Sequence, residues 1–229
     1  MSGKSKSIYV CSQCGYESAK WYGKCPGCGE WNTMNEEIRE PVRNVSPKST
    51  LYSMKGRQHP QLLSEISTDI ETRYQTGVGE LDRVLGGGIV KGSLILISGE
   101  PGIGKSTILL QICEHLGKAL RILYVSGEES SRQIKLRASR LQVHSENLLI
   151  LTETDVQLIT EQIRETKPDL VMIDSIQTMN LSELNSAPGS ITQVRECTNL
   201  YMRTAKELEI PTILVGHVNK DGAIAGPKV

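Results

Sequence analysis

The chain has 229 residues, of which 38% are apolar and 23% are charged, and its basic and acidic side chains balance to a formal net charge of zero. This composition suits one domain with a sizeable core beside a small module, and it excludes a general electrostatic attraction for nucleic acid. No apolar run is long enough to span a membrane and residues 1–10 lack the apolar core of a signal peptide, so we expect a cytoplasmic protein without membrane contact.

Two C-x-x-C pairs lie near the N-terminus, Cys11 with Cys14 and Cys25 with Cys28. Each pair can direct two thiolates to one point, and two pairs complete a tetrahedral zinc site with no open position for catalysis. A segment this short cannot bury enough apolar surface to fold alone, so metal ligation would supply the missing stability. We therefore predict a structural zinc ribbon over residues 1–34. A dithiol redox pair or two disulfides are alternatives that a reducing compartment disfavours.

Aromatic and basic side chains are concentrated in the same segment, which contains both tryptophans of the chain. These side chains could contact phosphates and stack on bases. Alternatively, the rings form the small core of the ribbon and the lysines only solvate it. The sequence leaves both interpretations open. The aromatic and basic side chains concerned are Lys4, Lys6, Lys20, Lys24, Tyr9, Tyr16, Trp21, Tyr22 and Trp31.

Residues 35–74 mix charge, serine and proline without clear periodicity, and we predict a linker and lead-in there. From residue 75 to residue 229, apolar runs alternate with stretches of helical period, as in a parallel sheet covered by helices on both faces. The sequence therefore predicts an α/β core. Its predicted strands are 93–98, 121–126, 147–151, 169–174 and 211–218, and its predicted helices are about 105–117, 130–141, 155–166 and 190–209.

The segment SGEPGIGKST lies between the first of these strands and the first helix. It matches the phosphate-binding pattern G-x-x-x-x-G-K-[ST], whose glycines let backbone N–H groups face the β-phosphate at a helix N-terminus. In this pattern Lys105 bridges the β- and γ-phosphates of ATP, Ser106 ligates Mg²⁺ and Thr107 reaches the α-phosphate. The predicted nucleotide-binding residues are Gly99, Glu100, Pro101, Gly102, Ile103, Gly104, Lys105, Ser106 and Thr107.

Acidic residues end or follow two other predicted strands. Asp174 is predicted to face the Mg²⁺ near Ser106, although an aspartate there can also merely cap the next turn. Glu128 is placed to polarise a water in line with the γ-phosphate, with Glu129 as the alternative base. Both glutamates could instead only favour the first turn of the following helix. The predicted catalytic residues are Lys105, Glu128 and Asp174.

Together and in this order, the motifs resemble those of the RadA (Sms) family of bacterial DNA repair and recombination ATPases, within the RecA-like superfamily. The resemblance runs through CSQCGYESAKWYGKCPGCGEWN, TGVGELDRVLGGGIVKGSLILISGEPGIGKST, YVSGEES, MIDSIQT, SAPGSITQVRE and VGHVNKDGAIAGPKV, and so covers the chain apart from the linker. It implies a RecA-like fold for residues 75–229 and a hexameric ring. It also implies binding of single-stranded and branched DNA, and use of ATP to drive branch migration of recombination intermediates alongside the RecA recombinase.

The resemblance also assigns roles to single residues. Lys105 and Ser106 become nucleotide contacts, Asp174 the Walker B acid and Glu128 the catalytic glutamate. His217 stands where RecA-like proteins carry a γ-phosphate sensor, although without the resemblance it is equally an ordinary histidine at a strand end. Loops 181–195 and 219–229 would follow the DNA backbone, although they can also be two flexible surface loops. The side chains implied as DNA contacts are Arg195, Lys220 and Lys228.

The family pattern continues beyond residue 229 with a K-N-R-F-G motif, the remaining core strands and a domain resembling the Lon protease. We therefore expect an N-terminal portion that binds nucleotide but hydrolyses it slowly and assembles poorly, because ring ATPases often complete the γ-phosphate site with a neighbour's basic residue. One alternative is a nucleotide-switched DNA-binding or recombinase-recruiting module without effective turnover. Another is a relative of replicative helicases or clock-type ATPases, against which the four-cysteine ribbon argues.

Overall fold

A computed structural model of the chain describes residues 6–13, 15–39, 62, 73–184 and 186–217. Within these ranges the chain forms a small antiparallel ribbon and a larger α/β core. Cys14, Lys220 and Lys228 lie outside the described residues, as do Lys4, most of the predicted linker and the loop 219–229. In the described part of the chain, no helix is both long and apolar enough to cross a membrane.

Three antiparallel strands build the ribbon, β1 (Lys6–Cys11), β2 (Glu17–Ser18) and β3 (Met34–Arg39), with β1 in the centre. Strand β3 covers residues 35–39, which the sequence assigns to the linker. Its charged sequence shows no apolar alternation, but its backbone pairs with β1 along its whole length, from Cys11 opposite Met34 to Lys6 opposite Arg39. Backbone pairing therefore extends the ribbon to residue 39.

Two short strands, β4 (Arg73–Tyr74) and β5 (Ile89–Val90), form an antiparallel pair at the entry to the core. Five parallel strands then form the main sheet, each within about two residues of its predicted bounds. They are β6 (Leu94–Gly99), β7 (Ile122–Ser126), β8 (Leu148–Thr152), β9 (Leu170–Asp174) and β10 (Thr212–His217), in the spatial order β6-β10-β9-β7-β8.

Five α-helices accompany the described strands. They are α1 (Gly79–Val84), α2 (Lys105–Leu116), α3 (Ser131–Arg140), α4 (Val156–Thr166) and α5 (Ile191–Leu208), with a short 3₁₀ helix at Ile176–Thr178. Side-chain oxygens of Ser130, Asp155 and Ser190 accept hydrogen bonds from backbone N–H groups and so fix the starts of α3, α4 and α5. The last four helices match the predicted ones within about two residues.

Both faces of the sheet are covered, as the near-continuous apolar strands predict. Along β7, Ile122 and Tyr124 point to the layer of α2 and α3, while Leu123 and Val125 point to the layer of α4 and α5. Cys113 lies fully buried in the first layer, where burial raises the pKa of its thiol to about 12. The predicted three-layer α/β core is confirmed, and Cys113 belongs to that core.

The parallel arrangement brings the carboxyl ends of the strands to one edge of the sheet. Strands β6 and β7 follow each other in sequence, yet β10 and β9 lie between them, and ligands of open α/β sheets bind where the strand order breaks in this way. The loops after β6, β7, β9 and β10 therefore meet at this edge.

Candidate functional site

The phosphate-binding loop joins β6 to α2. Gly102 and Gly104 have φ angles of 82° and 106°, in the left-handed region that favours glycine, and the space around each is open, so the backbone conformation is what requires glycine there. Helix α2 begins at Lys105, directly after Gly104. The loop is thus a bend that leads into a helix N-terminus, where backbone N–H groups attract anions.

Lys105 is buried beneath this loop. Its Nζ donates hydrogen bonds to the carbonyl oxygens of Gly99 and Glu100, both at 2.8 Å, while Ser106 and Thr107 are half-buried at the start of the helix. The ammonium group is therefore held inside the curve of the loop, next to the backbone that would surround a phosphate.

Asp174 ends β9 beside β7, with Ser126 as its cross-strand neighbour. The hydroxyl of Tyr124 donates a 2.6 Å hydrogen bond to Oδ2 of Asp174. Burial, and then the negative charge of Asp174, raise the pKa of Tyr124 far above its ordinary value, so the phenol remains a donor. One oxygen of the Asp174 carboxylate is therefore held by a hydrogen bond from the core, at the point where β9 ends.

Sequence reasoning missed Tyr124. The signal available is a tyrosine within an otherwise aliphatic strand, two residues before that strand ends. A buried tyrosine hydroxyl generally finds a hydrogen-bond partner, and a polar strand end is where one is available.

Glu128 lies in the loop after β7. Its Oε1 accepts a 2.7 Å hydrogen bond from Oγ of Ser175 and lies 3.3 Å from Nε2 of His217. The loop can approach the segment after β9 because residue 127 is glycine: a Cβ there would lie 2.1 Å from Oγ1 of Thr178. Glu128 is thereby brought beside the residue that follows Asp174.

Glu129 has a different environment. Its carboxylate forms an ion pair with Nη2 of Arg137 on α3, and its backbone N–H donates to Oγ of Ser126. Of the two adjacent glutamates, Glu128 faces the strand ends and Glu129 is engaged by the helix that follows.

His217 ends β10, opposite Gly99 of β6 in the parallel register. Its carbonyl oxygen accepts a hydrogen bond from Nε2 of Gln177, and its Nδ1 is buried without a partner among the described residues. The structure therefore brings Glu128, His217 and the Asp174–Ser175 segment together beside the loop that contains Lys105.

Of the predicted DNA contacts, only Arg195 belongs to the described residues, and its described partners are not those of the cluster. Arg195, near the start of α5, places Nη2 3.7 Å from Oε1 of Glu17 in the ribbon and donates from Nε to Glu196. Close by, a Cβ at Gly15 would lie 3.3 Å from the Ile191 side chain. Arg195 thus takes part in a contact between the ribbon and the core.

Gln193 organises the loop before α5. Its side-chain amide is buried, accepts from the backbone N–H of Leu181 and donates to the carbonyl oxygens of Leu181, Leu184 and Ser186. Sequence reasoning missed this residue, whose signal is a glutamine on the apolar face of an amphipathic helix.

The ribbon brings its described cysteines together. The sulfur atoms of Cys11, Cys25 and Cys28 all lie within 4.8 Å of one another. Backbone N–H groups of Gln13 and Gly27 approach the sulfurs of Cys11 and Cys25 at 3.4 and 3.3 Å, which stabilises thiolates. These soft donors fit zinc, with Cys14, which lies outside the described residues, as the predicted fourth ligand.

Four aromatic side chains of the ribbon lie outside its core. Cys11, Cys25 and Met34 form the described core, with Tyr9 packed against it. Exposed side chains are Tyr16 at 40%, Trp21 at 54%, Tyr22 at 42% and Trp31 at 68%. Of the two interpretations left open by the sequence, the ribbon-core interpretation is wrong for these four.

Two family models match the chain. One, described as "AAA domain", matches residues 62–223, and the other, described as "Rubredoxin metal binding domain", matches residues 9–36. The second agrees with the cysteine cluster of the ribbon, and together they support zinc as its metal.

Curated relatives named "DNA repair protein RadA" match nearly the whole chain. The protein of Bacillus subtilis is 51% identical over 99% of this chain, and that of Aquifex aeolicus is 48% identical over 99%. The chain spans about half the length of these relatives, 50% in both cases.

Among solved structures, a KaiC-like protein from Pyrococcus horikoshii superposes with a TM-score of 0.56 at 19% identity, covering 68% of this chain and 75% of that one. At this identity the likeness concerns the fold alone. The chain belongs to the AAA domain family by its matching family model and to the RadA family by its relatives.

Proposed function

We propose that this chain is an ATP hydrolase of DNA repair and homologous recombination that acts in the cytoplasm, binds single-stranded DNA and couples ATP hydrolysis to branch migration. The observation that carries the proposal is the meeting of Glu128, His217 and the Asp174 segment beside the phosphate-binding loop. A nucleotide-binding loop needs an acid for the metal and a base for water, and Asp174 and Glu128 are the candidates for these roles at this edge.

ATP would bind first through the phosphate-binding loop. Backbone N–H groups of residues 99–104 would face the phosphates, and Lys105 would exchange its carbonyl partners for phosphate oxygens. Ser106 and Asp174 would hold Mg²⁺, which supplies positive charge to the β- and γ-phosphates when bound. The hydroxyl and carboxylate oxygens of this pair are the hard donors that Mg²⁺ prefers.

Glu128 is the proposed general base. Its carboxylate is partly exposed, so a water can reach it, while the Ser175 hydroxyl holds Oε1 in a fixed position. His217 would respond to the γ-phosphate through the same carboxylate, because its Nε2 already contacts Glu128. Glu129 is the weaker candidate, since Arg137 occupies its carboxylate.

The finer assignments come from the family. We propose a homo-hexamer when the protein is full length, branched DNA and the RecA recombinase as further partners, and the loops around 181–195 and 219–229 along the DNA. The name of the relatives supports a role in DNA repair. A DNA phosphate at Arg195 would share this partly exposed guanidinium with Glu17, whose Oε1 lies 3.7 Å from Nη2.

Phosphate release with and without single-stranded DNA tests the proposal. The full-length protein should release phosphate faster when single-stranded DNA is added, whereas the 229 residues alone should release it slowly. In the full-length protein, Glu128→Gln should lower the rate about 100-fold or more while ATP still binds. Glu129→Gln is the matched control, and it should keep most of the rate. Nucleotide-dependent DNA binding without phosphate release would instead favour the switch module, and equal loss in both variants would refute the assignment of the base.

A further inference from the structure

The ribbon carries an exposed aromatic surface, formed by Trp21 and Trp31. The two indole rings come together over Gly23: a Cβ at that glycine would lie 3.4 Å from Cη2 of Trp21 and 3.8 Å from Cζ3 of Trp31. Lys24 pairs with Trp31 through an isolated β-bridge. The rings therefore form one continuous patch and are not scattered singly, and a continuous exposed apolar patch marks a binding surface.

Positive charge accompanies these rings. Nζ of Lys24 lies 5.8 Å from the centroid of the Trp31 ring, and Lys20 precedes Trp21 in the chain with an exposed side chain. Glu17, the nearest preceding acid, is directed to Arg195 on the core. Lys24 therefore lies against one of the two rings and Lys20 neighbours the other in the chain, while Glu30 is the acid beside Trp31 in the sequence.

The type of side chain distinguishes the possible binding partners of this aromatic patch. All large apolar side chains exposed on the described part of the ribbon are aromatic, and aliphatic side chains are absent from that set. Protein interfaces also use methionine and arginine beside aromatic residues. A base-stacking platform needs only π-faces and cations, because every base has a flat face and a phosphate next to it.

We propose that the aromatic surface of Trp21 and Trp31 is a stacking site for unpaired bases of single-stranded DNA, with Lys20 and Lys24 on the adjacent phosphates. This inference rests on the proposed function and adds to it a DNA contact on the ribbon, separate from the core loops. The site recognises unpaired bases of any sequence, because stacking does not read base edges.

The two tryptophans of the chain both lie in this surface, so intrinsic tryptophan emission reports on it alone. Titration of the protein with oligothymidylate should quench that emission in a saturable way, and duplex DNA of the same length should quench it far less. Trp31→Ala should weaken oligothymidylate binding about 5- to 150-fold, while Trp31→Phe should restore most of it.

Several results would overturn the inference. If single-stranded DNA binds in a filter assay but leaves tryptophan emission unchanged, the stacking site is wrong and the proposed function stands. If no DNA binds at all, both fail. Equal quenching by duplex DNA, or equal weakening by the alanine and phenylalanine variants with zinc retained, would mean that the rings do not stack on bases and that the patch serves a protein partner.

Discussion

At the scale of single residues, hydrogen bonds give the three carboxylates at the edge of the sheet different roles. Tyr124 holds one oxygen of Asp174, Arg137 holds Glu129, and Ser175 and His217 contact Glu128. Because each carboxylate has its own partner, each negative charge is held in a defined position. Tyr124 acts through Asp174 and is therefore a positioning residue.

We expect Tyr124→Phe to lower the free energy of unfolding by about 1.5–3 kcal/mol, because a hydrogen bond to a charged carboxylate is lost. The rate of ATP hydrolysis should fall, with ATP affinity nearly unchanged, since Asp174 loses its fixed orientation. Denaturant unfolding and phosphate release measure the two effects.

Tyr201→Phe is the matched control for this variant. Tyr201 is also buried, but its hydroxyl has no partner among the described residues, so its removal should cost little or nothing. Equal destabilisation in both variants, or an unchanged rate in Tyr124→Phe, would contradict the positioning role.

At the scale of elements, Gln193 ties the loop after β9 to α5. Its side-chain amide satisfies backbone groups at Leu181, Leu184 and Ser186, so this part of the loop is held by one buried side chain. The loop continues the segment that carries Asp174, and it is one of the two proposed to follow DNA. The geometry of that loop depends on α5.

Gln193→Ala should destabilise the protein by about 2 kcal/mol or more, because several backbone groups of the loop lose their partner together. Amide hydrogen exchange should rise over residues 181–186, and DNA affinity should fall while ATP affinity holds. Gln162→Ala on α4 is the control: Gln162 is half-buried and its amide donates to Glu165 in an exposed hydrogen bond, so its removal should change stability by less than about 0.5 kcal/mol. Unchanged exchange in the loop would contradict this account.

Elements with a strong pattern of apolar residues could be predicted from the sequence. Elements that depend on contacts between segments far apart in the chain could not. The five core strands and their four helices follow from apolar runs and helical periods, and the loop before Lys105 from its glycines. By contrast, β3 depends on pairing with β1, and the roles of Tyr124 and Gln193 depend on neighbours far along the chain. Sequence reasoning placed Arg195 on DNA and gave no sign of Glu17 as its partner.

At the scale of the whole molecule, the ribbon and the α/β core have separate apolar clusters. Cys11, Cys25 and Met34 form the described ribbon core, while the layers around the main sheet contain none of these residues. The described contacts between the two units include Arg195 with Glu17 and Ile191 beside Gly15. An exposed ion pair of this kind adds little stability, so each unit depends mainly on its own core.

Cys25→Ser should therefore lose zinc and unfold the ribbon while the core stays folded. Hydrogen exchange should become fast over residues 6–39 and remain slow over the strands of the main sheet, and ATP should still bind. Metal analysis of the variant measures the loss of zinc. Because the substitution removes zinc, no chelator is needed, and Mg²⁺ is left in place. Loss of protection in the main sheet would contradict the independence of the two units.

Calorimetric titration of the folded chain with Mg²⁺ and ATP tests the central claim most directly. The account predicts a saturable heat of binding for the unmodified chain and binding weaker by about tenfold or more for Lys105→Ala, because the ammonium inside the loop is lost. Absence of binding heat from chain shown to be folded by circular dichroism, or equal affinity in the two proteins, would contradict it.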